Sequence, residues 1–270
     1  MNQPTDRPQK QVGFRRLFGG ARTHRSQHTG FLSIAGGLVA WELVGRLVIS
    51  NSLFLATPTQ IAAQIYNLMR SGELFIHMGV SGAEFGIGLI ISIILGIALG
   101  FLITTNKIAN AILGPWISAL YATPTVAIAP LIILWFGIGL WSKVFVVIIN
   151  ATFPMIINTE AGLRATDPKL IEAVRCFGAS PLQVFWNVML PSALPYILAG
   201  VRLSVGRAIV SVVVGELFGS RAGLGFMITQ ASEVFNMPRL FAAVVVLALV
   251  GVILTAGARY LERVLQPWNK

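Results

Sequence analysis

The chain has little of what soluble proteins use. It contains one cysteine, three histidines and ten acidic residues in 270, and only 11% of its residues are charged. A globular domain carries about a quarter charged residues. The lone Cys176 excludes a disulfide framework, and a thiolate zinc site would need more such ligands. There is no GxxxxGK[ST] and no dinucleotide glycine motif, so the chain offers no nucleotide site. His24 and His28 sit in a basic arm and His77 is isolated in sequence, which leaves no catalytic or metal constellation for an integral membrane enzyme. What remains is apolar. Hydrophobic residues make up 55% of the chain, and stretches 85–106, 108–142, 176–201 and 240–258 carry no charge at all. Uncharged runs of about eighteen residues or more are long enough to cross a bilayer. The net charge of +10 therefore reads as a membrane topology signal, not as an affinity for nucleic acid.

The pattern predicts an all-α polytopic membrane protein with six spans at 31–49, 75–104, 111–136, 143–163, 193–218 and 240–259. Residues 1–30, with Arg7, Lys10, Arg15, Arg16, Arg22 and Arg25 among polar residues, read as a disordered basic arm. The remainder, 31–270, reads as one membrane domain. No small-residue cleavage site follows the first apolar run, so no cleaved signal peptide is expected. Thirteen Lys/Arg fall on segments of one side, against Arg70, Arg221, Arg239 and the boundary Lys143 on the other. By the positive-inside rule both termini lie inside. Thr57-Pro58 predicts a capped short helix through Leu68 on the outer side.

One inside segment, about 165–192, has the grammar of a folded object. Asp167-Pro168 provides an N-cap and a first-turn proline, and Ser180-Pro181 repeats the device. Leu170, Ile171, Val174 and Phe177 recur at helical spacing opposite Lys169, Glu172 and Arg175. Gly178 stands where a helix end favours a left-handed residue. A second apolar face follows in Val184, Phe185, Val188 and Met189, and Pro191 and Pro195 are expected to close it and begin the next span. Helix chemistry alone leaves two readings open, an interfacial loop or a surface for a partner.

The segment EAVRCFGASPLQVFWNVMLPSALPYILAGVRLS, residues 172–204, resembles the signature loop of permease subunits of bacterial ATP-binding-cassette importers. Glu172 and Ala173 match, Val174 replaces the usual second alanine, Gly178 keeps its offset, and Val188, Leu190 and Pro191 complete the pattern. YATPTVAIAPLIILWFG and VVVGELFGSRAGLGFMI look like the branch that imports sulfonates, taurine, nitrate and related small molecules. The resemblance implies a multi-pass protein of the bacterial inner membrane that pairs with a second copy. It also implies two separate ATPase subunits, which hold ATP and magnesium, and an external solute-binding protein. Residues Glu172, Ala173, Arg175, Gly178, Ala179, Ser180, Pro181 and Leu182 would belong to the element that couples to the ATPase.

Within the spans, each ionisable side chain is conspicuous. Insertion costs about 2.5–3.5 kcal/mol at a helix centre, so such groups face protein or a cavity. Glu42 and Arg46, one turn apart, can pair with each other; Arg202, Arg207 and Glu216 would pair across helices. Glu84 departs from the branch, many of whose members carry a basic residue there; facing a cavity, it would disfavour a simple oxyanion. Pro124 and Pro130 in the third span mark either a hinge or cavity wall, or a packing kink. Glu84, Pro124, Pro130, Arg207 and Glu216 are thus the candidate pathway or gate residues. The pairs Gly82/Gly86, Gly96/Gly100 and Gly215/Gly219 suit close helix approach. A stand-alone secondary transporter or channel would want paired mid-membrane polar sites and often inverted repeats; the sequence has no internal repeat.

Overall fold

A computed structural model describes residues 23–49, 51 and 53–265. Among them the chain is helical throughout: α1 (Thr23–Leu47), α2 (Pro58–Arg70), α3 (Glu73–Thr105), α4 (Lys107–Ala122), α5 (Thr125–Phe136), α6 (Leu140–Arg164), α7 (Pro168–Cys176), α8 (Pro181–Val184), α9 (Leu190–Gly219), α10 (Leu224–Glu233) and α11 (Met237–Leu265). A π-helical turn, Phe185–Met189, joins α8 to α9. Residues 1–22 of the predicted arm lie outside the described residues, and α1 begins within that arm.

The six expected spans are recovered only in part. Four helices are long and apolar enough to cross a membrane: α3, α6, the run Pro181–Gly219, and α11. The first expected span coincides with α1, which is not one of the four. The third is broken. Its two halves, α4 and α5, meet at 106°, and counting the bent pair as one span makes five. The break has a local cause. Proline disfavours helical backbone in the residue before it, and Thr123 is extended at φ −76°, ψ 130°. Pro130, by contrast, stays inside α5.

Small residues set the packing at the centre. Gly88, Ser92, Gly96 and Gly100 form a four-residue ridge on α3 that lies against Val147, Met155 and Thr159 of α6. A Cβ on Gly100 would stand 2.7 Å from the Thr159 Cβ, and Met155 blocks the same space at Gly96. Without side chains between them the backbones approach closely, which is how helices gain dispersion energy in a medium with no hydrophobic drive. α9 closes on α6 in the same way through Gly162 and Gly200. Polar bonds cross these contacts: Ser204 Oγ donates to the Ala151 carbonyl (2.7 Å), and Asn150 Nδ2 donates to Ser211 Oγ (2.6 Å). Of the predicted glycine pairs, Gly96/Gly100 and Gly215/Gly219 pack within the chain, whereas nothing lies within 4 Å of a Cβ built on Gly82 or Gly86.

A second cluster gathers α2, α10 and α11 around Ile61, Leu74, Leu224, Met227 and Val246, with Trp41 of α1 edge-on to Phe241. Thr57 caps α2 through a reciprocal pair with Gln60, as its sequence predicts. Glu42 and Arg46 do pair, at 2.6 Å, and the Glu42 carboxylate also accepts from the Thr59 backbone N–H and hydroxyl, tying α1 to the start of α2.

Candidate functional site

At one end of the bundle the 165–192 segment folds as its caps dictate. Asp167 accepts the Lys169 N–H at 2.9 Å and Pro168 opens α7. The helix stops at Gly178, whose φ of +80° is left-handed. Gly178 N–H donates to the Arg175 carbonyl (2.9 Å) and Ala179 N–H to that of Val174 (3.3 Å). These two bonds satisfy carbonyls that the helix end would otherwise leave free. Ser180 and Gln183 then form a reciprocal cap on α8. Contrary to expectation, Pro191 and Pro195 do not close this helix: it runs on into α9. The π turn makes this continuity possible. Leu190 N–H reaches back five residues to Phe185, so the turn just before Pro191 is one residue wider than an α turn.

The expected apolar face of α7 is only partly covered within the chain: Ile171 and Val174 are half-buried, whereas Leu170 and Phe177 face outward. Phe177 is 92% exposed and Leu182 66%; Leu170 and Trp186 are exposed as well, and only Val184 is fully buried. Glu172, Ala173, Arg175, Gly178, Ser180 and Pro181 are all exposed and Ala179 half-buried. Behind this surface lies a groove of about 640 Å³, lined by Phe101 and Thr105 of α3 with Ile171, Arg175, Leu182 and Phe185. The segment is thus locally rigid, outwardly apolar and ringed by charge.

At the opposite end a buried polar cluster binds five helices, α3, α6, α9, α10 and α11. Glu216 of α9 and Glu84 of α3 are each 1% exposed and lie side by side. Glu216 Oε1 accepts from Ser81 Oγ (2.6 Å), and its Oε2 accepts from the Gly225 N–H (2.5 Å). Ser81 Oγ accepts the Leu224 N–H (2.8 Å), and His77 Nδ1 accepts the Gly223 N–H (3.0 Å). Side chains from α3 and α9 therefore satisfy three free N–H groups at the start of α10, which its own sequence cannot cap. His77 Nε2 lies 3.5 Å from Glu73, which pairs with Arg239 of α11. Lys143 of α6, buried against Gly215, places Nζ 3.6 Å from Glu84 and donates to the Gly139 carbonyl (2.9 Å). A cavity of about 570 Å³, with Phe75, Gly79, Gly139 and Arg221 in its wall, opens beside Glu84 and Lys143.

Of the sequence-predicted pathway residues, the structure unites Glu84 and Glu216 and separates both from the others. Pro124 and Pro130 are exposed on the α4–α5 elbow. Arg207, midway along α9, is exposed and lies over the Tyr121 ring at 5.2 Å, with Nη2 3.4 Å from its hydroxyl. Arg202 pairs with Glu262 of α11 at 2.9 Å. Lys143, His77, Ser81, Glu73 and Arg239 were not among the candidates. A signal for four of the cluster exists: Glu73, His77, Ser81 and Glu84 recur every three or four residues along an otherwise apolar helix. Among the described residues no group of His, Cys, Asp and Glu is arranged to hold a metal ion.

Comparison with known proteins agrees with this architecture. Residues 88–267 match the family described as binding-protein-dependent transport system inner membrane component. The chain is 37% identical to a permease protein assigned to aliphatic sulfonates transport in Bacillus subtilis (strain 168), over 89% of this chain and 87% of that one. It is 35% identical to the formylaminopyrimidine transport permease protein of Halalkalibacterium halodurans, covering 86% and 92%. Identity to the taurine transport system permease protein of Escherichia coli (strain K12) is 31%, covering 86% of each. The fold resembles a chain of the inward-facing methionine ABC transporter MetNI, with TM-score 0.61, 20% identity, and 71% of this chain and 95% of that one covered. A bacterial importer of the acidic polysaccharide alginate gives TM-score 0.60 at 12% identity, covering 92% and 94%. The chain belongs to the binding-protein-dependent transport family of the inner membrane and is the permease subunit of an ATP-binding-cassette importer.

Proposed function

We propose that this permease works as a homodimer with two ATPase subunits, and that its 165–192 segment is the coupling element on each copy. The observation that carries the reading is the exposure of Phe177 and Leu182 on a segment fixed by two caps and a left-handed glycine. A rigid apolar projection ringed by Glu172 and Arg175 suits a groove on a soluble partner, where a few large side chains carry most of the binding energy. ATP and magnesium belong to that partner, and the permease contributes motion. The run Pro181–Gly219 links the coupling surface to Glu216 without a break, so a tilt imposed at one end reaches the other as rigid-body displacement. The distribution of Lys and Arg supports placing both termini and the coupling segment in the cytoplasm.

On this reading the opposite end receives cargo from an external binding protein. The cargo class is a small solute of the sulfonate or taurine kind, a choice supported by the relatives' names. Co-purification tests the assembly: the chain, expressed with its cognate ATPase, should retain it through affinity capture and size exclusion. Uptake of solute by the chain alone, in vesicles without ATPase or nucleotide, would overturn the proposal.

A further inference from the structure

Among the described residues, Arg70, Lys107, Lys169, Arg175, Arg259 and Arg263 have no ion pair but lie on short helices or near helix ends; in the middle of a helix long enough to span, one basic residue is out of balance. Arg46 has Glu42, Lys143 has Glu84, Arg164 has Glu160, Arg202 has Glu262 and Arg239 has Glu73. Arg207 sits eighteen residues into the thirty of α9, and among the described residues no carboxylate lies within ion-pair distance of it. Its contact is the face and hydroxyl of Tyr121, at the α4–α5 elbow. That stacking orients the guanidinium plane and attracts it to the ring without neutralising its charge. The surrounding face of α9 is uncovered: Leu203 and Val210, one turn either side of Arg207, and the adjacent Gly206 are exposed, and a Cβ on Gly206 would meet nothing within 4 Å. A guanidinium at this depth needs water or a counter-anion, neither of which lipid supplies.

We infer that Arg207, held by Tyr121, is an anion-coordinating station in the translocation path, and that the cargo is a small organic monoanion. The inference rests on the proposed function for the existence of that path and narrows the cargo to one charge class. The guanidinium fork matches the paired oxygens of a sulfonate or carboxylate, and the exposed Tyr121 ring offers an apolar wall for a short alkyl tail. The objection raised by Glu84 is reduced, because that carboxylate, although it borders the outer cavity, is 1% exposed and has the Lys143 ammonium 3.6 Å away.

The test uses thiol chemistry at Val210, one turn from Arg207 on the same exposed face. In a Cys176→Ser background, Val210→Cys in the full chain assembled with its ATPase is labelled by two methanethiosulfonates, 2-sulfonatoethyl (anionic) and 2-trimethylammonioethyl (cationic). With Arg207 present, the anionic-to-cationic rate ratio should exceed that of a free thiol by about tenfold, the effect of one unit charge across a few ångströms of poorly screened space. Arg207→Lys should keep most of this excess and Arg207→Gln should abolish it. Excess ethanesulfonate should slow labelling in the Arg207 protein, whereas neutral ethyl methyl sulfone should not, and this arm needs no substitution at 207. A thiol inert to both reagents, a ratio indifferent to residue 207, or equal protection by both solutes would overturn the inference. Failure of the ATPase to co-purify would instead count against the proposed assembly, since the labelling ratio is a property of this chain.

Discussion

The carboxylate of Glu216 occupies the space that a Cβ on residue 223 would need. Gly223 adopts φ 125° and ψ 164°, a region essentially closed to other residues, and lends its N–H to His77. Backbone conformation and packing thus demand glycine there independently. Gly223→Ala should destabilise the chain by about 1–3 kcal/mol from backbone strain alone. It should also expel Glu216 from its bonds with Ser81 and Gly225. Thermal unfolding in detergent measures the loss, and protease cleavage between α9 and α10 should rise in parallel.

Lys143 and Glu84 are a buried pair, and the two halves of such a pair are not equivalent to the whole. Lys143→Met leaves the Glu84 carboxylate buried beside Glu216 without its cation, which should cost about 3–5 kcal/mol. The double variant Glu84→Gln with Lys143→Met removes both charges and should recover most of that loss. A strongly non-additive double-mutant cycle in unfolding temperature is the expected result; additive losses would show that the two side chains act separately.

How far the sequence reaches is visible in these two cases and in the 165–192 segment. Asp167-Pro168, Gly178 and Ser180-Pro181 announce their geometry because capping is settled within four residues, and the structure follows them. Lys143 and Glu84 lie 59 positions apart, and nothing local marks either as the other's partner. The elbow at Thr123-Pro124 was only half legible. Proline signals a disturbance, but whether a helix kinks or breaks depends on what takes up the freed carbonyls: Pro124 breaks its span while Pro130 does not. Pro191 misled for the same reason, since the wide turn before it accommodates the ring.

Phe177 and Leu182 make a sharp distinction between folding and assembly. Because both are exposed, Phe177→Ala and Leu182→Ala should each alter the stability of the isolated chain by no more than about 0.5 kcal/mol. Each should nevertheless weaken ATPase binding by about 30-fold or more, the range of a buried interface anchor. Surface-immobilised permease titrated with ATPase reads the second quantity directly.

Gly178 and Gly72 form a natural control. Both are left-handed, at φ +80° and +78°, and an added Cβ would find open space at either. Alanine should therefore cost about 1–2 kcal/mol at each site through conformation alone. Only Gly178→Ala should diminish ATPase-linked uptake beyond what that loss of stability explains, since Gly72 lies at the start of α3, at the other end of the bundle. Equal effects of the two substitutions on uptake would deny Gly178 any part in coupling.

The π turn at Phe185–Met189 also fixes a phase. An α-helix advances about 100° per residue, so a turn holding one residue more than its neighbours rotates everything beyond it by that amount relative to an unbroken α-helix. Val184 is buried before the turn, and Ala193 and Ile197 after it. Wound uniformly, the same sequence would swing one of these sets out of its packing, or carry Arg207 off the face it shares with Leu203 and Val210. Removing a single residue from 185–189 should therefore convert the turn to ordinary helix while preserving the bearing of both ends, whereas removing one from the middle of α9 should scramble it. The helix is indexed, like a keyed shaft, and the key is one surplus residue.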